Sequence, residues 1–134
     1  MMQQFSIFDI AGRAMTAQLA RLNSTASNLA NAGSVSASES GAYRSMKPVF
    51  RTIIDQSGQK TVAVDRMVQS DLAPAKRHAP GHPMADKDGF VWDAAVDPNL
   101  ELVEMLEAAR QYQNNVQVLG TAKSLILETI RIGK

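Results

Sequence analysis

The chain has 134 residues, of which 45% are hydrophobic and 20% charged, and these values exclude a wholly disordered protein. Its formal net charge of +1 gives no strong field for nucleic acid or an acidic membrane, and the absence of cysteine excludes disulfides and thiolate chemistry. No apolar run approaches the roughly 18 residues of a membrane span, so we expect no transmembrane segment.

The first zone, residues 1–33, is rich in alanine and nearly neutral. Large apolar residues recur in it every seven positions, at Phe8, Met15, Leu22 and Leu29. Leu19 lies four residues after Met15 and three before Leu22, which gives the alternating 3-4 spacing. This spacing is typical of a helix with a coiled-coil seam. We therefore predict an N-terminal helix of an axial core, which ends near Gly33.

A stretch without charge runs from Leu22 through Ser38, although its apolar residues keep helical spacing. A helix exposed to water normally carries charged residues on its outer face. Asn28 and Asn31 lie three residues apart, which places them on one helical face. Because an amide both donates and accepts hydrogen bonds, we expect these two residues to contact neighbouring helices in an assembly.

The middle zone, residues 34–96, contains short strand signals among Ser-, Pro- and Gly-rich loops. The segments "PVFRTIID" (48–55) and "KTVAVDRMV" (60–68) are rich in β-branched residues and are separated by the turn sequence "QSGQK". A further segment, "FVW" (90–92), predicts an edge strand. We therefore predict a β/loop insert in this zone.

The third zone, residues 97–134, begins with Asp97-Pro98, the pair expected at an N-cap and first helical position. Between Arg110 and Lys123 this predicted helix also lacks charge and contains several amides. Apolar residues again follow a 3-4 seam, within which one set recurs every seven positions: Met105, Tyr112, Leu119 and Ile126. We predict a second long helix of the axial core.

These three zones together predict a mainly α protein with a small β insert. The two long terminal helices are expected to form an antiparallel coiled-coil pair, with the short-strand and loop region between them. Each helix carries apolar or small residues on more than one side, so two helices alone cannot cover each other's apolar surface. The predicted assembly interface combines residues of both helices: Phe8, Met15, Leu19, Leu22, Asn28, Leu29, Asn31, Met105, Tyr112, Leu119 and Ile126.

Metal and cofactor sites are not expected. His78, His82 and Asp86 have the spacing of three ligands on one helical face, but the prolines and glycine at 80–83 prevent a helix there. Asp86 and Asp88 lack the further ligands and terminal glutamate of a calcium loop. No phosphate-binding loop, nucleophile elbow or dinucleotide fingerprint is present, so we predict that the chain is not an enzyme.

Three basic residues, Arg44, Lys47 and Arg51, lie near Tyr43 and Phe50. Basic residues interleaved with aromatic rings occur in nucleic-acid-binding proteins. In a protein of nearly zero net charge, however, three cations are more typical of an ordinary surface or a protein contact. We therefore predict no nucleic-acid partner.

Both ends of the chain resemble one known family. "FDIAGRAMTAQLARLNSTASNLANAGS" resembles the N-terminal signature of bacterial flagellar axial proteins. "PGHPMADKDGFV" and "VEMLEAARQYQNNVQVLGTAKSLILETIRIG" are similar to the C-terminal part of flagellar basal-body rod proteins. The resemblance covers nearly the whole chain and is closest to the proximal rod members of that family.

The resemblance implies a structural subunit of the rod, the drive shaft that crosses the periplasm and transmits torque to the hook. It implies self-assembly through the terminal helices, with other rod subunits, copies of the same chain and the inner-membrane ring or export gate at the rod base as partners. It also implies passage through the flagellar type III export apparatus without a cleaved signal peptide. Two other classes remain open: a non-flagellar coiled-coil adaptor or scaffold, and a ligand-binding or enzyme module built on the β insert.

Overall fold

The computed structural model describes residues 5–134, so the first four residues of the predicted N-terminal zone lie outside the described residues. Two long helices enclose five strands in the order of the chain: α1 (Ile7–Ala30), β1 (Val35–Ser36), β2 (Met46–Ile54), β3 (Lys60–Gln69), β4 (Ala75–His78), β5 (Phe90–Asp93) and α2 (Pro98–Ile132).

Local hydrogen bonds fix where both helices begin. Ser6 and Asp9 form a capping box at the start of α1, in which each side chain bonds the other residue's backbone N–H. Asp97 caps α2 by accepting hydrogen bonds from the second and third residues of the helix, and Pro98 occupies the first position. The helix start predicted at Asp97-Pro98 is therefore confirmed, whereas the capping box of α1 was not predicted.

The two helices lie antiparallel. Near the start of α1, Ile7 lines one groove together with Val118, Ala122 and Leu125 of α2. Near its end, Arg21 forms an ion pair with Glu104 at 2.7 Å. Among the described helices and strands, α2 packs only against α1, whereas α1 also packs against β2 and β3.

Strands β2 and β3 form an antiparallel hairpin along α1, which corresponds to the two strands predicted at 48–55 and 60–68. A register shift between Val49 and Phe50 marks a β-bulge in β2. The turn closes through Gly58, whose φ of +83° lies in the left-handed region that glycine adopts without steric cost.

A second sheet has three strands in the order β1-β5-β4, and both pairings are antiparallel. The prediction that 90–92 forms an edge strand is wrong, because β5 lies at the centre of this sheet. Val91 is fully buried there, which accounts for the apolar composition of the segment. The edges are β1 and β4, whose short sequences "VS" and "AKRH" carry little strand signal of their own.

The predicted fold class, mainly α with a small β insert, is wrong. Strand structure accounts for 24% of the described residues and forms two separate sheets. The hairpin strands alone have 9 and 10 residues, and the second sheet recruits β1 and β4 through pairing with β5. Pairing between segments distant in sequence stabilises short strands that local propensity does not specify, so the protein is an α+β protein.

One buried amide joins α1 to the start of the hairpin. Asn28 is 0% exposed, and its Nδ2 donates to the carbonyl oxygen of Met46 at 2.9 Å. Its Oδ1 accepts from the Met46 backbone N–H at 2.9 Å and from the Tyr43 hydroxyl at 2.7 Å. Ser24, one turn earlier, also donates to the Met46 carbonyl. The side chain of Asn28 thus forms with the backbone of Met46, the first residue of β2, the two hydrogen bonds that a second neighbouring strand would form.

A second tether joins the hairpin turn to the chain just before α1. The carboxylate of Asp55 accepts a hydrogen bond from the backbone N–H of Phe5 at 2.9 Å. It also accepts from Ser57 and Gln59 within the turn. The bond from Phe5, followed by the bond from the Ser57 side chain, holds the pKa of Asp55 below its ordinary value. The hairpin is therefore fixed to the α1 region at both ends.

Replacing Asn28 by alanine should destabilise the isolated chain. The change leaves the Met46 N–H and the Tyr43 hydroxyl without an acceptor, at about 1–3 kcal/mol for each buried group left unsatisfied, whereas the Met46 carbonyl keeps its bond from Ser24. Asn31→Ala is the matched control, since the Asn31 amide bonds only the Ser27 carbonyl of its own helix. Thermal unfolding should show a clear fall in midpoint for Asn28→Ala and little change for Asn31→Ala. Equal midpoints for both variants would contradict the role given to Asn28.

The tether at Asp55 should depend on pH. Since its pKa is lower in the folded chain than the ordinary 3.8, its contribution is present above that ordinary value and is lost as pH falls through the folded pKa. We expect the Phe5 amide to lose protection from hydrogen exchange in that acidic range, after correction for the intrinsic pH dependence of exchange. Asp55→Ala should remove the protection at neutral pH as well. Protection of Phe5 that persists in Asp55→Ala would show that another contact holds this amide.

Candidate assembly surface

The covered side of α2 is narrow and made of small or polar residues. Its buried residues, Glu101, Ala108 and Ala122, are spaced by seven and fourteen positions, so they follow one line along the helix. Because alanine has a short side chain, Ala108 and Ala122 allow α1 to approach closely. The most deeply buried line of α2 therefore consists of Glu101, Ala108 and Ala122, and the predicted seam residues Met105, Tyr112 and Leu119 are half-buried beside it.

Large apolar side chains of α2 remain exposed around this line. The most exposed are Leu106 at 71% and, in the last turn, Ile132 at 85%. We name the whole set the α2 apolar surface, and its members are Leu100, Leu102, Val103, Leu106, Val116, Val118, Leu125, Ile126, Leu127, Ile130 and Ile132. Soluble monomers rarely leave so many neighbouring apolar side chains exposed, and such a surface is typical of a protein–protein contact.

The sequence-predicted interface residues occupy three kinds of position. Phe8, Leu19 and Ile126 are exposed apolar residues. Asn28 is buried within the chain. The remaining predicted residues are half-buried: Met15, Leu22, Leu29, Asn31, Met105, Tyr112 and Leu119.

Hydrogen bonding limits what the two predicted asparagines can offer to another subunit. Both acceptor positions of the Asn28 oxygen are occupied within the chain, and one of its two N–H groups bonds Met46. The amide of Asn31 donates to Ser27 at 2.8 Å, and its oxygen is not engaged by that bond. Contact of either residue with a neighbouring subunit stays a prediction.

Of the eleven residues of the α2 apolar surface, only Ile126 is among the residues predicted from the sequence to form the interface. Val103 and Leu106 are among the most exposed apolar residues of the helix, yet they lie off the 3-4 seam that guided the prediction. The signal that identifies them is their own spacing of three residues, which places them on one face together with Leu102. A helix with a second apolar face needs a second partner.

A cleft opens between the end of α1, the beginning of β2 and the beginning of α2, with a volume of about 90 Å³. Four of its lining residues are charged in their ordinary states: Arg21, Lys47, Glu101 and Glu104. Arg21 pairs with Glu104 and also donates to Gln18 at 3.1 Å. Glu101 is only 2% exposed, and its Oε2 has no hydrogen-bond partner.

The residues considered as metal ligands are used in local structure. The His78 ring packs edge-on against Phe90, with 4.9 Å between centroids, and His82 Nδ1 accepts from the Met84 N–H. Asp86 accepts from the N–H groups of Phe90 and Asp88, and the bond from Phe90 is the main reason that its pKa lies below the ordinary value. Over residues 5–134 no group of three His, Cys, Asp or Glu side chains is placed to hold a metal ion.

The three basic residues do not form one patch. Lys47 lines the cleft, Arg51 lies 3.9 Å from the carboxylate of Asp65, and the backbone of Arg44 forms a β-bridge with Ala95. Neither α1 nor α2, as far as the structure describes them, is apolar enough over a sufficient length to cross a membrane.

Comparison with protein families matches both helical ends of the chain. The family described as flagella basal body rod protein matches residues 8–34. The family described as flagellar basal body rod FlgEFG protein C-terminal matches residues 87–132. The two matched segments include nearly all of α1 and all of α2, the elements that carry the apolar surface.

Curated relatives match over the full length. The flagellar basal-body rod protein FlgC of Yersinia enterocolitica is 45% identical over 136 aligned residues, which cover 99% of this chain and 100% of the relative. The proteins of the same name from Salmonella typhimurium and Escherichia coli O157:H7 are each 42% identical, with the same coverage of both chains. From these full-length relationships, the chain belongs to the FlgC family of flagellar basal-body rod proteins.

Proposed function

We propose that this rod protein assembles into the flagellar rod by burying the α2 apolar surface, together with the exposed apolar residues of α1, against neighbouring subunits. The observation that carries the proposal is that α2, a helix of 35 residues, packs against only one other described helix or strand. At 1.5 Å per residue, α2 is about 50 Å long and α1 about 36 Å. A single shorter helix leaves most of the α2 circumference uncovered.

The α2 apolar surface also supports a division of the chain into an axial core and a region outside it. Residues 1–33 and 97–134 form the axial core of the polymer, and the β/loop region at 34–96 lies outside that core. The tethers at Asn28 and Asp55 support this arrangement, because they hold the hairpin against α1 and leave α2 free of it. Torque would then pass through packed helices, whose interlocking side chains resist shear.

The finer parts of the function rest on the relatives, which are named as flagellar basal-body rod proteins. The partners proposed here are other rod subunits, further copies of this chain, and the inner-membrane ring or export gate at the rod base. The protein is exported by the flagellar type III apparatus without a cleaved signal peptide and functions in the part of the rod that crosses the periplasm. It acts through assembly, without catalysis and without a bound metal.

Leu106→Asp should separate folding from assembly. Leu106 is 71% exposed, so a carboxylate there stays in water in the monomer and the thermal midpoint should change little. In a packed interface the same carboxylate would be buried without a partner, at a cost of several kcal/mol. We expect swimming to be lost and the variant to be absent from purified basal bodies, although the protein is made.

Leu72→Asp is the matched control, since Leu72 is also an exposed leucine but lies in the loop between β3 and β4. It should be incorporated into basal bodies close to the level of the wild type. Normal incorporation of Leu106→Asp would contradict assembly through α2. Equal loss in both variants would show that the effect is not specific to the terminal helices.

The double variant His78→Ala and His82→Ala should leave incorporation and swimming nearly unchanged. Both histidines make local contacts within the β4–β5 region, and among the described elements neither β4 nor β5 packs against a helix. Purified wild-type protein should contain no stoichiometric metal by elemental analysis. Stoichiometric zinc that disappears in the double variant would contradict the proposal.

A further inference from the structure

Glu101 is an acidic side chain in an unusual position. It is the fourth residue of α2, is 98% buried, and leaves its Oε2 without a hydrogen-bond partner. The N-terminus of a helix favours a negative charge, but a buried carboxylate needs direct partners as well. Buried charged groups are normally paired, so this orphaned oxygen requires a physical explanation.

The cleft beside Glu101 does not supply that partner from within the chain. Arg21 is already paired with Glu104 across the two helices. Lys47 lines the same cleft, yet the four ion pairs among residues 5–134 include neither Lys47 nor Glu101. One carboxylate therefore faces a cavity of about 90 Å³ without a cation bound to it by the described chain.

The chemistry of the cleft favours an organic cation over a metal ion. Calcium and magnesium require several oxygen ligands, and the described residues place no group of three acidic or histidine side chains together. An ammonium or guanidinium group needs only one carboxylate and a few hydrogen-bond acceptors. The cleft also lies beside the first turns of α2, where Leu100, Leu102 and Val103 are exposed. It is thus continuous with the surface proposed for assembly.

We propose that the cleft receives a lysine or arginine side chain of a neighbouring rod subunit, whose cationic group pairs with Glu101. This inference rests on the proposed function, because the cation arrives only when subunits assemble. In the assembled rod the buried carboxylate is paired, and the inserted side chain fixes the position of the neighbour relative to α1 and α2.

The direct test compares Glu101→Gln with Glu107→Gln in cells that lack the wild-type gene. Glu107 lies on the same helix and is exposed, so the same chemical change there serves as the control. Glu101→Gln should keep or raise the thermal midpoint of the purified chain, because a neutral amide is easier to bury than a carboxylate. Its incorporation into basal bodies should fall at least about tenfold, as expected when a buried charge pair loses one partner. Glu107→Gln should incorporate normally.

Wild-type incorporation of Glu101→Gln would overturn the proposal and would leave water as the occupant of the cleft. This result differs from a failure of the proposed function. If Leu106→Asp blocks assembly while Glu101→Gln does not, only the proposed pairing of Glu101 with a cation of a neighbouring subunit is wrong. If neither variant affects incorporation, assembly through α2 is wrong as well.

The partner can be identified through suppressors of Glu101→Lys, which should not assemble because two cations would meet in one cleft. The proposal expects motile revertants in which a lysine or arginine of another rod subunit is replaced by an acidic residue or a neutral one. Revertants that change only Lys47 would show instead that Lys47 is the partner of Glu101 and would overturn the proposal.

Discussion

Helix α1 is the element on which the other large elements of this protein depend, since α2, β2 and β3 all pack against it. Its buried stripe consists of small and polar side chains, Ala11, Ala17, Ser24, Thr25 and Asn28, and contains no large apolar residue. Short side chains allow neighbouring backbones to come close, and Asn28 then bonds the Met46 backbone directly. The attachment is specific because an amide satisfies donors and acceptors only in one geometry.

Packing through small residues determines which large apolar side chains remain exposed to solvent. A helix that packs through alanine, serine and asparagine does not cover its large side chains, so Phe8 and Leu19 stay exposed on α1. On α2 the same relation holds between the buried line of Glu101, Ala108 and Ala122 and the exposed apolar surface around it. In a monomeric enzyme such a distribution would favour aggregation. In a structural subunit of the flagellar basal-body rod, it leaves the large apolar residues free for contacts between subunits.

Part of the fold could be predicted from the sequence, and whether an element was predictable depends on how local its stabilising contacts are. The helix starts at Ser6 and Asp97 follow from local capping, and the hairpin follows from two β-branched runs around a Gly turn, so both are visible in one short window of residues. The β1-β5-β4 sheet was not predictable, because the strand character of "VS" and "AKRH" comes only from pairing with β5. The heptad pattern correctly marked the helices, but it could not show which side of α2 faces α1. The exposure of Val103 and Leu106 depends on that orientation, whereas the partners of Asn28 depend on where the hairpin lies against α1.

The contrast between apolar and polar contacts explains how such a subunit can find one position in a polymer. Burial of apolar surface is favourable but non-directional, so the α2 apolar surface alone would permit neighbours to slide or rotate along the helix. Charged and hydrogen-bonded groups restrict the geometry, because a displaced neighbour leaves a buried carboxylate unpaired. Glu101 lies at the start of α2, where the cleft, α1 and the exposed leucines meet. In the proposed assembly, a carboxylate at that junction both adds to the affinity of the contact and penalises every register except the one that brings a cation into the cleft.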